Sequence, residues 1–304
     1  MKSNKTAVFL QLYIKYGKQR SSKVKQAQKE AKYMNITFSK AFLMSGEDFK
    51  LTSSITLHHP TIKEILSINQ SSSPDLIYWS YIQILLADPY LNMVMLDDMG
   101  KNYLETSPYE VFHLQWDNCI ANYEENKAEY DAYQIHPGDQ ITDALQFFMV
   151  ETHYFKKGFY QDGSPCFYDE ADPSCQINQE IFEYIYQWVK AVNKIDHSGR
   201  IHPADENARR VLIEDMREEI KKAKRRKKKK EEDFDLLGSL MAAGCFCGNG
   251  SISPFQIGDC KIYWLNEALS LNNRKDYADH LLDGIYHGTL RFKDINKKEL
   301  DWLK

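Results

Sequence analysis

Apolar residues recur along this chain with two periods, and the helical one covers most of its length. After Pro60, the residues Ile62, Ile65 and Leu66 follow at helical spacing, with the proline where a first turn tolerates it. A second helix is expected over 74–86, capped by Ser73 and broken at Asp88-Pro89. Another starts at Ser107-Pro108. Over 177–192, Ile181, Tyr184, Ile185 and Trp188 fall on one helical face. Period two appears in two places. Residues 49–59 alternate, and aromatic and β-branched residues flank Asp162-Gly163, a dipeptide that favours tight hairpin turns. The pattern predicts a mainly α protein (α+β in class) with small hairpins near 48–58 and 147–168.

The last third carries a different signal. Between Pro203 and Asp233 there is no glycine or proline after the start, acidic residues crowd the first turns and cations the later ones, which suits the helix dipole. Apolar positions thin out after Ile220. Beyond it, Tyr263, Trp264, Leu265, Ala268 and Leu269, then Tyr277, Leu281, Leu282 and Ile285, recur at helical spacing on either side of 272–275. A helical hairpin turning at 272–275 is expected there, ending at Gly284 and Gly288 with Trp302 folded back on it. The organisation reads as a basic extension over 1–45, an α+β domain over 46–196, a charged connector helix over 197–233 and a helical domain over 234–304. No period of about 20 to 50 residues recurs, so this is not a repeat array.

Charge sharpens the picture. The chain of 304 residues holds 39 basic and 43 acidic residues, formally −4. Nine of the cations are Lys221, Lys222, Lys224, Arg225, Arg226, Lys227, Lys228, Lys229 and Lys230; without them 30 basic residues face 43 acidic ones, a charge of −13. An acidic protein thus carries one concentrated basic segment, read first as a solvated helix and second as a binding element. No aromatic or Asn/Gln pattern interleaves the run, so any nucleic-acid contact would be with phosphates, and nucleic acid is the disfavoured partner. The basic N-terminus followed by apolar residues 7–14 is too short for an export signal, contains Gln11 and lacks a small-residue cleavage site. No run of about 18 apolar residues predicts a membrane span.

Candidate chemistry is sparse. The six cysteines are irregularly spaced, and reduced thiols are the default. Cys245, Cys247, Cys260 and His280 would be a three-cysteine, one-histidine set, but a single intervening residue departs from zinc-site spacing, so structural cysteines and no metal are expected. His58-His59 and His197 with His202 lack the i,i+4 spacing of a metal helix and read as loop or satisfied core histidines. Asp97 and Asp98, adjacent in sequence, point different ways on a helix. Phosphate-binding glycine loops, GxSxG and HExxH are missing, so neither an enzyme nor a cofactor is expected.

Residues 256–304 resemble proteins encoded in the tail modules of phages of Gram-positive hosts. The resemblance rests on an amphipathic helix, then Asp283-Gly284-Ile285-Tyr286-His287-Gly288-Thr289, a polar or basic set, and a terminal Leu300-Asp301-Trp302. Upstream, Glu206-Asn207-Ala208-Arg209-Arg210 and Leu212-Ile213-Glu214-Asp215 resemble the group's charged helix, and 59–65 its strand-to-helix entry. The likeness covers about 50–304 and is diffuse in the middle. The extra basic N-terminus and the Gly-rich segment at 244–255 depart from it. The resemblance implies a tail-assembly chaperone: a helical, non-catalytic protein of the bacterial host cytoplasm that coats the tape-measure protein. Tyr78, Trp79 and Ile82 on the 74–86 helix, together with the basic run, are the candidate partner-binding residues. A minor tail or neck protein of the virion and a basic-run nucleic-acid binder are the rival readings.

Overall fold

The computed structural model describes residues 36–68, 74–128, 138–197, 200–227, 236–246 and 252–303. Chain contacts divide the protein into Met1–Thr37 and Phe38–Lys304. In the second unit the elements run α1 (Lys40–Ser45), β1 (Phe49–Lys50), β2 (Thr56–Leu57), α2 (Ile62–Leu66), α3 (Pro74–Leu86), α4 (Met93–Asp98), α5 (Pro108–Glu125), α6 (Asp139–Phe147), β3 (Phe155–Phe159), β4 (Pro165–Asp169), β5 (Gln176–Ile177), α7 (Gln179–Val192), α8 (Glu206–Lys227), α9 (Leu236–Phe246) and α10 (Ile262–Tyr286). Among the described residues the protein is mainly α with two small antiparallel sheets, as its periodicity predicts.

Local chemistry explains where the elements start. Thr61 and Glu64 form a reciprocal capping box at α2. Ser107 accepts from Glu110 N at the start of α5, and Asn178 from Ile181 N at the start of α7. The β3–β4 hairpin pairs Phe155 with Asp169 through to Phe159 with Pro165, and Gly163 supplies the positive φ in its turn. β5 extends this sheet beside β4.

The core gathers around α7, whose Phe182, Ile185, Trp188, Val189 and Val192 are fully buried. Each such side chain contributes about 1.5–3 kcal/mol by leaving water. Trp188 is the hub on one side: Phe38, Phe42, Phe49 and His59 surround its ring, and its Nε1 donates to the His58 carbonyl at 2.8 Å. On the other side Phe112, His113 and Trp116 of α5 close over Phe167 of β4. Tyr109 donates its hydroxyl to the carbonyls of Pro165 and Ile177, so α5 also fastens two strands.

Several expected boundaries move. Residues 38–45 lie in the second unit, where α1 packs into the body through Leu43 and Phe42. Residues 46–196, 197–233 and 234–304 all fall within the second unit. The turn expected at 272–275 does not form, since α10 runs unbroken through it. No glycine or proline interrupts that stretch, asparagine costs a helix only tenths of a kcal/mol, and Lys275 pairs with Asp279 one turn on. The C-terminal helical pair is instead α9 against α10. Gly288, with φ of 72°, stops α10 as expected. The turn Lys297–Leu300 packs back on α10, yet Trp302 is half-buried rather than inside the core.

Candidate interaction surfaces

The charged helix begins at Glu206, with Asp205 accepting from Ala208 N. Its first half is fixed to the body. Ile213 is buried, Leu212 and Met216 lean on the core, and Arg217 forks onto Asp97 (2.8 Å) and Asp98 (2.6 Å) at the end of α4. Arg209 binds Glu206 through two nitrogens and approaches Asp97 at 3.9 Å. The hydrogen bonds that Arg217 donates to Asp98 and Asp97 raise its pKa above the ordinary value. The two adjacent aspartates, which the sequence offers as an unconvincing acid pair, are therefore an anchor for one arginine.

One residue past Arg217 the helix leaves the body. Glu218, Glu219, Ile220, Lys221, Lys222, Ala223 and Arg225 are all exposed. Lys222 pairs with Glu219 at 2.9 Å and lies 3.8 Å from Glu218. Positions 224, 226 and 227 continue the same helix, while Lys228, Lys229 and Lys230 lie outside the described residues.

The second predicted surface is only partly a surface. Tyr78 (5% exposed) and Ile82 (1%) belong to the core, because α3 turns that face towards α6 and α7. Tyr78 donates its hydroxyl to Asn193 Oδ1 at 2.6 Å and stacks on Phe148. Ile82 is shut inside the core, whereas Tyr78 also lines a small cleft beside Trp79. Trp79 is 37% exposed and Leu76 65%. Beside them Trp79, Leu237, Leu240, Ile262 and Asn266 line a cleft of about 60 Å³ between α3, α9 and α10. That is far below the roughly 300–1,000 Å³ of a cofactor or drug-sized site, but it admits one apolar side chain.

Buried ionisable groups serve the fold. His153 sits between β2 and β4, its Nδ1 2.8 Å from Asp169 Oδ2 and its Nε2 2.8 Å from the Ser54 carbonyl. Asp169 is held below its ordinary pKa: burial opposes its charge, but the hydrogen bonds from His153 and Ala171 N prevail. Glu267 on α10 gathers Lys40 and Lys194, and Asp88 accepts from Arg200, which covers the Tyr90 ring. None of these partnerships has a sequence signal; Asp88 and Arg200 are 112 residues apart.

The histidine expectations divide. His58 bridges Asp48 and Glu64, and His197 approaches the Tyr186 hydroxyl at 3.4 Å. His59 is fully buried between Trp188 and Tyr263, where neither ring nitrogen makes a well-formed hydrogen bond and the Gly46 backbone offers a weak one. Burial first, then Lys261, brings its pKa down to about 4. His113, unpaired above Phe167, is brought to about 4 by burial and then Lys157. Cys245 and Cys260 are half-buried against the core, His280 is exposed on α10, and Cys247 lies outside the described residues. Among the described residues no three metal-binding side chains converge, and no described helix is long and apolar enough to cross a membrane.

Among the described residues the fold presents a cationic helix end and an apolar edge on α3. No protein-family model, curated protein or solved structure matches the chain.

Proposed function

We propose that this chain is a non-catalytic binding protein acting as a phage tail-assembly chaperone in the host cytoplasm, where it shields the tape-measure protein until the tail tube closes. The resemblance of residues 256–304 to tail-module proteins supplies the phage setting. The observation that carries the binding role is the apolar edge of α3, where Leu76 and Trp79 stand exposed beside a cleft sized for one side chain. A tape measure is a long helix with apolar stripes, and such a helix docks by setting side chains at helical spacing into apolar depressions. Exposed tryptophan is the residue type that most often dominates such contacts.

Co-expression with the tape-measure protein tests the reading. The wild-type chain keeps the tape measure in the soluble fraction. The double variant Leu76→Asp, Trp79→Asp loses most of that effect, at least tenfold in co-purified client, and Leu76→Asp alone, at a site 65% exposed, weakens it with the unfolding midpoint nearly unchanged. A tape measure equally soluble without the chain, or with the double variant, would refute the role.

A further inference from the structure

We propose that the free half of α8 binds the phosphate backbone of duplex nucleic acid without reading its sequence. The proposal goes beyond the chaperone reading and is independent of it, since α8 and the apolar edge are different surfaces.

Three observations carry it. The first is mechanical. Arg217, clamped by Asp97 and Asp98, and the buried Ile213 fix the root of the helix, and every described side chain from Glu218 to Ala223 is exposed. The ten residues that follow Arg217, up to the helix end at Lys227, span about 15 Å at about 1.5 Å per residue. The described cations Lys221, Lys222 and Arg225 are thus offered to solvent on a fixed stem.

The second is the distribution of charge. Lys221, Lys222, Lys224, Arg225, Arg226 and Lys227 occupy six of seven consecutive helical positions. At about 100° per residue they fall in every sector of the helix rather than along one stripe. A flat acidic protein face meets one sector of a helix and leaves the others unused. A duplex groove has phosphates on both walls, and the major groove, about 12 Å wide, admits an α-helix of about that diameter. The densities agree as well: six cations over about 10 Å give one charge per roughly 1.7 Å, which is the axial charge spacing of duplex DNA.

The third is the rest of the chain, at −13 without the nine-cation run. Its field repels phosphate and confines contact to α8. Within the run, Lys221 with Arg225 and Lys222 with Arg226 are like-charged pairs one turn apart, a repulsion that a polyanion relieves. Lys222 is already matched by Glu219, and the proposal assigns about four phosphate contacts to the segment. No asparagine, glutamine or aromatic residue interrupts the segment, so base edges go unread.

The test uses the full chain and fluorescence anisotropy with a labelled short DNA duplex. Affinity should fall between about 50 and 200 mM salt with a log–log slope near −4, about −0.9 for each phosphate neutralised. Two duplexes of unrelated sequence should bind within about twofold of each other. The variant Lys221→Gln, Lys222→Gln, Lys224→Gln, Arg225→Gln, Arg226→Gln, Lys227→Gln should bind at least tenfold more weakly with a shallower slope. The wild-type slope and the sequence comparison stand whether or not that variant folds. No binding at low salt, a slope near zero, or undiminished binding by a folded variant would overturn the proposal. So would equal or tighter binding to poly-glutamate, which would assign the helix to an acidic protein.

Discussion

Lowering the pH from 7 to 4 should unfold this protein. In the folded chain, burial, assisted by Lys261 for His59 and by Lys157 for His113, holds both rings at a pKa of about 4 against the ordinary 6.5. Between those values the unfolded chain takes up protons that the folded chain refuses. Stability is therefore full above pH 6.5 and lost as the pH falls towards 4. Each ring contributes about 3 kcal/mol to that loss, and two of them rival the roughly 5–15 kcal/mol that holds a typical domain together. His197, also lowered by burial, acts in the same direction. At lower pH the depressed carboxylates Glu64, Asp169 and Glu267 are protonated and add to it, while Asp143, raised by burial and Asp139, opposes it. Denaturant melts at a series of pH values measure the slope. Replacing His113 with Leu should flatten the curve between pH 6.5 and 4, and an unchanged wild-type midpoint across that range would contradict the assignment.

Removing the His153 side chain should cost about 3–5 kcal/mol, as expected when one partner of a buried ion pair is deleted. Its two nitrogens face a carboxylate and a backbone carbonyl, both of which only accept. The ring therefore ties the Asp169 carboxylate to the Ser54 carbonyl through its two nitrogens. His153→Ala leaves the Asp169 charge stranded at 4% exposure and frees the Ser54 loop from β4. Adding Asp169→Ala should cost less than the sum of the single changes, because the stranded charge goes too. Unfolding melts of the four proteins measure this, and a single-variant cost under about 1 kcal/mol would place the pair in the range of solvent-screened bridges.

Elements held by local chemistry were legible in the sequence. The bounds of α3, the Ser107 cap and the Asp162-Gly163 turn follow from periodicity, capping and positive-φ preference. The same periodicity misled at 272–275, where two apolar sets on one continuous helix imitate a hairpin. It also marked Tyr78 and Ile82 as a surface, since an apolar stripe has the same spacing whether it faces a core or a partner. The anchor of α8 was illegible because Arg217 and Asp97 are 120 residues apart and only the fold joins them. With Asp97 and Asp98 occupied by Arg217, the cationic end of α8 and the pair Leu76 and Trp79 are the surfaces on which the two proposals rest.

The central claim, the proposed chaperone that acts during assembly and then leaves, is tested most directly by deleting the gene from the genome that encodes it and imaging the particles released. The account predicts capsids filled with DNA and lacking tails, because an unshielded tape measure aggregates through its apolar stripes before the tube can polymerise. Complete tails on infectious particles would contradict it, as would complete tails that fail to join heads, which would make the chain a neck component.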